Sequence, residues 1–80
     1  MVKALVLVTV DAGREDEATE SIAKIEDVEK VFQVYGVYDV VAIVSGESLD
    51  DIRDVVVRRI RKVQGVRSTV TMIVIKEYPI

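Results

Sequence analysis

The chain has 80 residues, of which 50% are hydrophobic and 31% charged, with a formal net charge of −3. This balance is typical of one globular domain and excludes a disordered chain, a membrane-spanning helix and a secretory signal. The acidic charge argues against a dedicated nucleic-acid binder. The lack of cysteine and histidine excludes disulfides, zinc sites and histidine-based catalysis. We therefore expect a cytoplasmic protein without a cofactor or a metal.

The first third of the chain predicts a strand and a helix. Valine and isoleucine supply 26 of the 80 residues, which is a strong bias toward strands. Residues 3–10 form the first predicted strand, and 11–13 form a turn. Residues 14–25 form a helix, because acidic residues occupy its first turn, where the helix dipole favours negative charge. The apolar stripe of this helix is Ala18, Ile22 and Ile25.

A β-hairpin is predicted in the middle of the chain. It joins a strand over 28–35 to a strand over 38–45 through Gly36 and Val37. These two residues predict a type II′ turn, which favours glycine at its first central position. Two strands connected in this way are antiparallel neighbours.

A second helix and a last strand complete the pattern. Ser48 is the predicted N-cap, with Asp51 in the reciprocal position of a capping box. Gly65 is a C-terminal stop, and 66–76 form the last strand, before a tail marked by Pro79. The apolar stripe of this helix is Leu49, Ile52, Val56, Ile60 and Val63.

The order β-α-β-β-α-β also repeats internally. Leu5 aligns with Ile43, and Ile22 with Ile60, at an offset of 38 residues. Two interleaved β-α-β units predict an α+β, ferredoxin-like fold, with an antiparallel four-stranded sheet and two helices on one face.

Both faces of three predicted strands are apolar. In the first strand, Leu5 and Leu7 point to one face and Val6 to the other. Two helices cover only one face, and monomers rarely expose an apolar patch as large as the other. We therefore expect two subunits to pack sheet against sheet. Oligomerisation also supports a chain this short.

Three stretches of the chain form an ordered set of motifs. They are Ile-Glu-Asp-Val at 25–28, Gly-Val-Tyr-Asp-Val at 36–40, and Val-Gln-Gly-Val at 63–66 followed by Ser-Thr-Val-Thr at 68–71. In this order they resemble the ligand-sensing C-terminal domain (the RAM domain) of the leucine-responsive regulatory protein/AsnC (Lrp/AsnC) transcription regulators. Together they span essentially the whole chain, which is similar to a stand-alone form of that domain.

The resemblance implies a ferredoxin-like dimer that assembles into a ring, an octamer or a decamer. It implies that an amino-acid effector binds where dimers meet, beside the hairpin, and that a full-length Lrp/AsnC regulator is a candidate partner. Full-length members carry an N-terminal helix-turn-helix. Because residues 1–80 begin directly with the first strand, we expect a single ligand-sensing domain without a DNA-binding domain and without direct nucleic-acid binding.

Seven residues are candidates for effector binding by this resemblance, and each has a structural alternative. The Asp39 carboxylate suits an α-ammonium group, or it bonds nearby backbone N–H groups. Gly36 serves backbone conformation or close approach of a ligand. The tyrosines form a pocket wall or pack between strands, and the hydroxyls hold a ligand or are plain strand residues. The candidates are Tyr35, Gly36, Tyr38, Asp39, Ser68, Thr69 and Thr71.

Three other functions compete with an amino-acid sensor. An ACT-type regulatory domain has the same element order, and it would place its ligand at the loop 11–14. A dimeric α+β barrel enzyme would have only Tyr38 and Asp39 as an acid–base pair, so we expect no enzyme. A ligand-free assembly module needs only the apolar sheet face. The basic run 58–62 is assigned to the C-terminal end of a helix rather than to a phosphate or DNA patch.

Overall fold

Four antiparallel strands and two helices make up the chain, whose computed structural model describes residues 1–80. The sheet order is β2-β3-β1-β4. This arrangement confirms the predicted β-α-β-β-α-β order and the ferredoxin-like fold. Neither helix has the length and apolar character that crossing a membrane requires. The elements are β1 (Val2–Val10), α1 (Glu15–Ala23), β2 (Val28–Gln33), β3 (Val40–Gly46), α2 (Leu49–Arg58), a 3-10 turn (Ile60–Lys62) and β4 (Val66–Ile73).

Burial alternates along the two central strands and divides the sheet into a covered face and an open face. On the covered face, every second residue of β1 and β3 is buried against the helices. The helices contribute five of their predicted stripe residues and one further valine to this core. The helical core residues are Ala18, Ile22, Ile52, Val55, Val56 and Ile60.

The open face is also apolar, as the sequence predicts. The register pairs Leu5 with Ile43 and Met72, and Leu7 with Val41 and Val70, so these side chains point away from the helices. Several of them are substantially exposed, with Met72 at 48%. The apolar side chains of the open face are Leu5, Leu7, Phe32, Val41, Ile43, Val70 and Met72.

The predicted two-residue hairpin turn is wrong. The strands end at Gln33 and begin again at Val40. The Val34 N–H donates to the Asp39 carbonyl at 2.9 Å, which closes a four-residue loop over 35–38. Gly36 has φ of +158°, close to extended backbone, whereas the first central residue of a type II′ turn has φ of about +60°.

The predicted element ends also need correction. Both helices are shorter than predicted, because α1 ends at Ala23 and α2 ends at Arg58 before the 3-10 turn. Ile25 and Val63 still pack against the core from outside the helices. The predicted burial of Leu49 is wrong, since this first residue of α2 is 59% exposed. Strand β4 stops three residues before the predicted end at residue 76.

The start of α2 confirms its predicted cap with one change of partner. The Asp51 N–H donates to Ser48 Oγ at 3.2 Å. The Asp51 carboxylate accepts from the Glu47 N–H at 3.1 Å rather than from Ser48. Both bonds pair polar backbone groups that the helix itself leaves unpaired.

The core makes a first testable prediction. Ile22→Ala removes a fully buried side chain from between α1 and the sheet. We expect the free energy of unfolding to fall by about 2–5 kcal/mol, because the substitution leaves a cavity. The same change at Ile75, which is 95% exposed, is the matched control and should cost almost nothing. Urea denaturation followed by circular dichroism measures both, and equal costs would contradict the assigned core.

Candidate functional site

Strand β1 anchors Asp39 at the end of the loop 35–38. The Asp39 N–H donates to the Val8 carbonyl at 2.9 Å. One carboxylate oxygen, Oδ2, accepts from the Val10 N–H at 2.7 Å. The predicted structural alternative for Asp39 is therefore present in the molecule. The second oxygen, Oδ1, accepts no hydrogen bond from the chain and is available to a ligand.

A β-bulge at the start of β4 lies beside Asp39. Thr9 pairs with Ser68, but the next residue, Val10, pairs with Val66, so Arg67 is an extra residue without a partner on β1. In a regular strand, Arg67 and Ser68 would point to opposite faces. A bulge changes the direction of the side chain at the extra residue. Here it lets Arg67 and Ser68 line the same hollow.

These features enclose a shallow cavity of about 420 Å³, which we call the Asp39 cavity. Its polar groups are one carboxylate, one guanidinium group and two hydroxyl groups, and its apolar wall consists of two valines. The hydroxyls of Thr9 and Ser68 are hydrogen-bonded to each other. An arrangement of this kind suits a small ligand with both a positive and a negative charge. The lining residues are Thr9, Val10, Val37, Asp39, Arg67 and Ser68.

The structure places two of the seven predicted site residues, Asp39 and Ser68, in this cavity. Thr69 and Thr71 share a face, as predicted, but they pair with Val8 and Val6 and so lie on the helix side of the sheet. Thr71 lines a different groove, of about 370 Å³, between α2 and β4. The two threonines are therefore not brought together with Asp39 within one chain.

The other three predicted residues lie on the loop 35–38. Tyr35 is fully exposed, and Tyr38 is half-buried. No atom outside its chain neighbours lies within 4 Å of the position that a Cβ on Gly36 would occupy. The loop therefore presents a bare stretch of backbone and a tyrosine ring to the outside, next to the Asp39 cavity.

Four lining residues of the cavity were not predicted from the sequence, namely Thr9, Val10, Val37 and Arg67. Thr9 is the one polar residue of an otherwise apolar run at the end of β1, and this exception could have indicated a polar site from the sequence. Arg67 follows Gly65 and Val66 directly, but no local pattern there indicates a bulge. Its position depends on the pairing of β4 with β1, which are far apart in sequence.

The basic run 58–62 behaves as predicted from the helix dipole. It lies at the end of α2 and in the 3-10 turn. Arg58 Nε lies 3.8 Å from Asp54 Oδ1, one helical turn earlier, and both side chains are well exposed. This geometry is typical of a solvated helix face.

Comparison with known structures identifies close relatives. Protein TTHA0845 from Thermus thermophilus is 34% identical, with 99% of each chain covered and a TM-score of 0.92. The hypothetical protein PHS023 from Pyrococcus horikoshii is 35% identical, with 98% of this chain and 94% of that chain covered and a TM-score of 0.86. No curated protein sequence matches the chain.

A more distant structure is that of the transcriptional regulator NMB0573 from Neisseria meningitidis, solved in complex with L-Met. It is 18% identical, with a TM-score of 0.85, and it shares the fold. The match covers 98% of this chain but only 52% of that one, so this chain spans about half the length of that regulator.

The family model for the Lrp/AsnC ligand-binding domain matches residues 3–79. This match favours the Lrp/AsnC resemblance over the ACT-type alternative. It also agrees with a regulatory, non-enzymatic domain rather than with a barrel enzyme. The chain therefore belongs to the Lrp/AsnC ligand-binding domain family.

Proposed function

We propose that this protein senses an amino acid, which binds in the Asp39 cavity and biases how subunits assemble. The observation that supports this proposal best is the combination of one carboxylate, one guanidinium group and two hydroxyls around a small hollow. An amino acid presents an ammonium group and a carboxylate on one carbon atom. Asp39 Oδ1 is the acceptor for the ammonium group, because Oδ2 is already bonded to Val10.

Two further observations support an amino acid at this place. The Neisseria meningitidis regulator with the same fold was solved with L-Met bound. The backbone at Gly36 is open on its outer side, because no atom outside its chain neighbours lies within 4 Å of the position that a Cβ would occupy. A bare backbone there lets a ligand or a neighbouring subunit approach the main chain closely, with Tyr35 and Tyr38 beside it.

The assembly that we propose starts from a dimer packed through the open face of the sheet. Seven apolar side chains lie on this face, and Phe32, Val70 and Met72 are each more than 40% exposed. Their combined patch is on the order of several hundred Å², a size that usually marks an interface. A second copy offers the same apolar surface, so the contact is self-complementary.

We further propose that such dimers form a ring and that the effector binds where dimers meet. The Asp39 cavity is shallow and open, so a second subunit is needed to enclose a ligand. The half of the longer Neisseria meningitidis regulator that this chain matches has the same fold. Such a regulator is therefore the co-assembly partner that we propose, through the same sheet face.

Amino-acid binding is tested by a thermal-shift panel of the twenty standard amino acids at millimolar concentration. A ligand at 100 times its Kd adds about 2.7 kcal/mol of stability. For a domain of this size, that gain raises Tm by roughly 10 °C or more. We expect one amino acid or a small group to raise Tm. A flat panel would contradict the sensor and favour the ligand-free assembly module.

Asp39→Asn tests the role of the free carboxylate oxygen. An asparagine side-chain oxygen still accepts from the Val10 N–H, so the loop should keep its place while the negative charge is lost. We expect an unchanged fold and at least about tenfold weaker amino-acid binding by calorimetry. Asp51→Asn, at the cap of α2, is the control for charge and should keep full affinity. Unchanged affinity in Asp39→Asn would remove Asp39 from the site.

Leu7→Lys tests the dimer. Leu7 lies in the centre of the open face, between Val41 and Val70. A charge there has no partner in a sheet-to-sheet contact, so we expect folded monomers in analytical ultracentrifugation. The same substitution at Leu49, which is exposed on α2, should leave assembly unchanged. An unaltered protein that is monomeric at micromolar concentration would contradict the proposed interface.

A further inference from the structure

Arg67 stands out among the exposed cationic side chains, because a bulge directs it into a cavity. It is the unpaired residue of β4, one position before Ser68, and both residues line the Asp39 cavity. A regular strand would point one of the two toward the helices. The bulge therefore brings a cation to a hollow that already contains a carboxylate oxygen without a partner.

The guanidinium group of Arg67 is weakly engaged within the chain. Its Nε lies 3.7 Å from Asp11 Oδ1, which is too long for a hydrogen bond. Arg67 and Asp11 are 69% and 55% exposed, and ion pairs this exposed contribute little to stability. The hydrogen-bond donors of Arg67 are therefore available to a ligand, and binding would break only this weak ion pair. The planar guanidinium group matches a carboxylate with two parallel bonds.

We propose that Arg67 binds the α-carboxylate of the amino-acid effector, opposite the ammonium group at Asp39. This inference rests on the proposed function and adds the orientation of the effector within the Asp39 cavity. The ammonium group faces the end of the loop 35–38, and the carboxylate faces the bulge of β4. Thr9 and Ser68, whose hydroxyls lie in the same cavity, are placed to bond the effector between its two charges.

The test compares each amino acid that binds the unaltered protein with its α-carboxamide. The carboxamide keeps the ammonium group for Asp39 and loses only the negative charge. We expect the unaltered protein to bind the acid about ten- to a hundredfold more tightly than the amide. In Arg67→Gln, affinity for the acid should fall to that for the amide, while the amide itself binds as before. Arg67→Lys should restore part of the preference, because it keeps the charge but not the fork of donors.

Two controls make the result specific. Arg58→Gln removes an arginine that is even more exposed than Arg67 and is paired with Asp54 at 3.8 Å, and it should leave the preference for the acid unchanged. Asp11→Asn releases Arg67 from its weak partner and should leave affinity for the acid equal or higher. A Tm of Arg67→Gln without ligand close to that of the unaltered protein shows that the variant is folded.

The outcomes separate this proposal from the proposed function. If no amino acid binds the unaltered protein, the sensor function is wrong and the role of Arg67 falls with it. If amino acids bind and Arg67→Gln keeps the full preference for acid over amide, only the role of Arg67 is overturned. Loss of that preference in Arg67→Gln, together with its retention in Arg58→Gln, supports the proposal.

Discussion

The structure depends on one constraint. Its sheet is apolar on both faces, but the two helices of the chain cover only one of them. Residues alternate along β1 and β3, so Val6 and Ala42 lie in the core while Leu7 and Val41 face outward. Both helices pack on the covered face, and no other helix or strand of the chain covers the open face. Apolar burial is the main favourable term in folding, and the second apolar face is the feature from which the proposed dimer follows.

The parts of the fold that follow from local pattern were predictable. Alternation with period two assigned both faces of the strands, and the stripe of Ile52, Val56 and Ile60 assigned the buried side of α2 and of the 3-10 turn that follows it. The predicted burial of Leu49 was wrong, because the stripe gives the direction of a residue around the helix but not how deeply its side chain is buried. Leu49 is the first residue of α2, at the end of the stripe, and is 59% exposed.

The parts of the site that depend on contacts distant in sequence were not predictable. Gly36 and Val37 are a good local sign of a tight turn, but Asp39 is held by Val8 and Val10. These two bonds to β1 fix Asp39 at the end of the loop, where its carbonyl also accepts from the Val34 N–H. The bulge at Arg67 is a similar case, since it exists only in the pairing of β4 with β1. The family resemblance gave Asp39 and Ser68 as two of seven candidates, whereas the cavity that both residues line is a feature of the structure.

Under the proposed function, the position of the Asp39 cavity connects binding to association. Thr9 and Ser68 belong to the open face, and Asp39 and Arg67 lie at its end, so a subunit that approaches this edge meets the cavity. Ligand sites usually bury about 70–90% of a small ligand. A shallow cavity whose arginine is 69% exposed cannot do so within one chain. Under the proposed function, a second subunit supplies the remaining wall, and a ligand enclosed in this way has higher affinity for the assembled state than for the separate chain. By linkage, the ligand then stabilises the assembly by the same factor by which assembly raises its affinity. Under the proposed function, the protein therefore senses its effector because the cavity is complete only in the assembly. No internal conformational change of the domain is required.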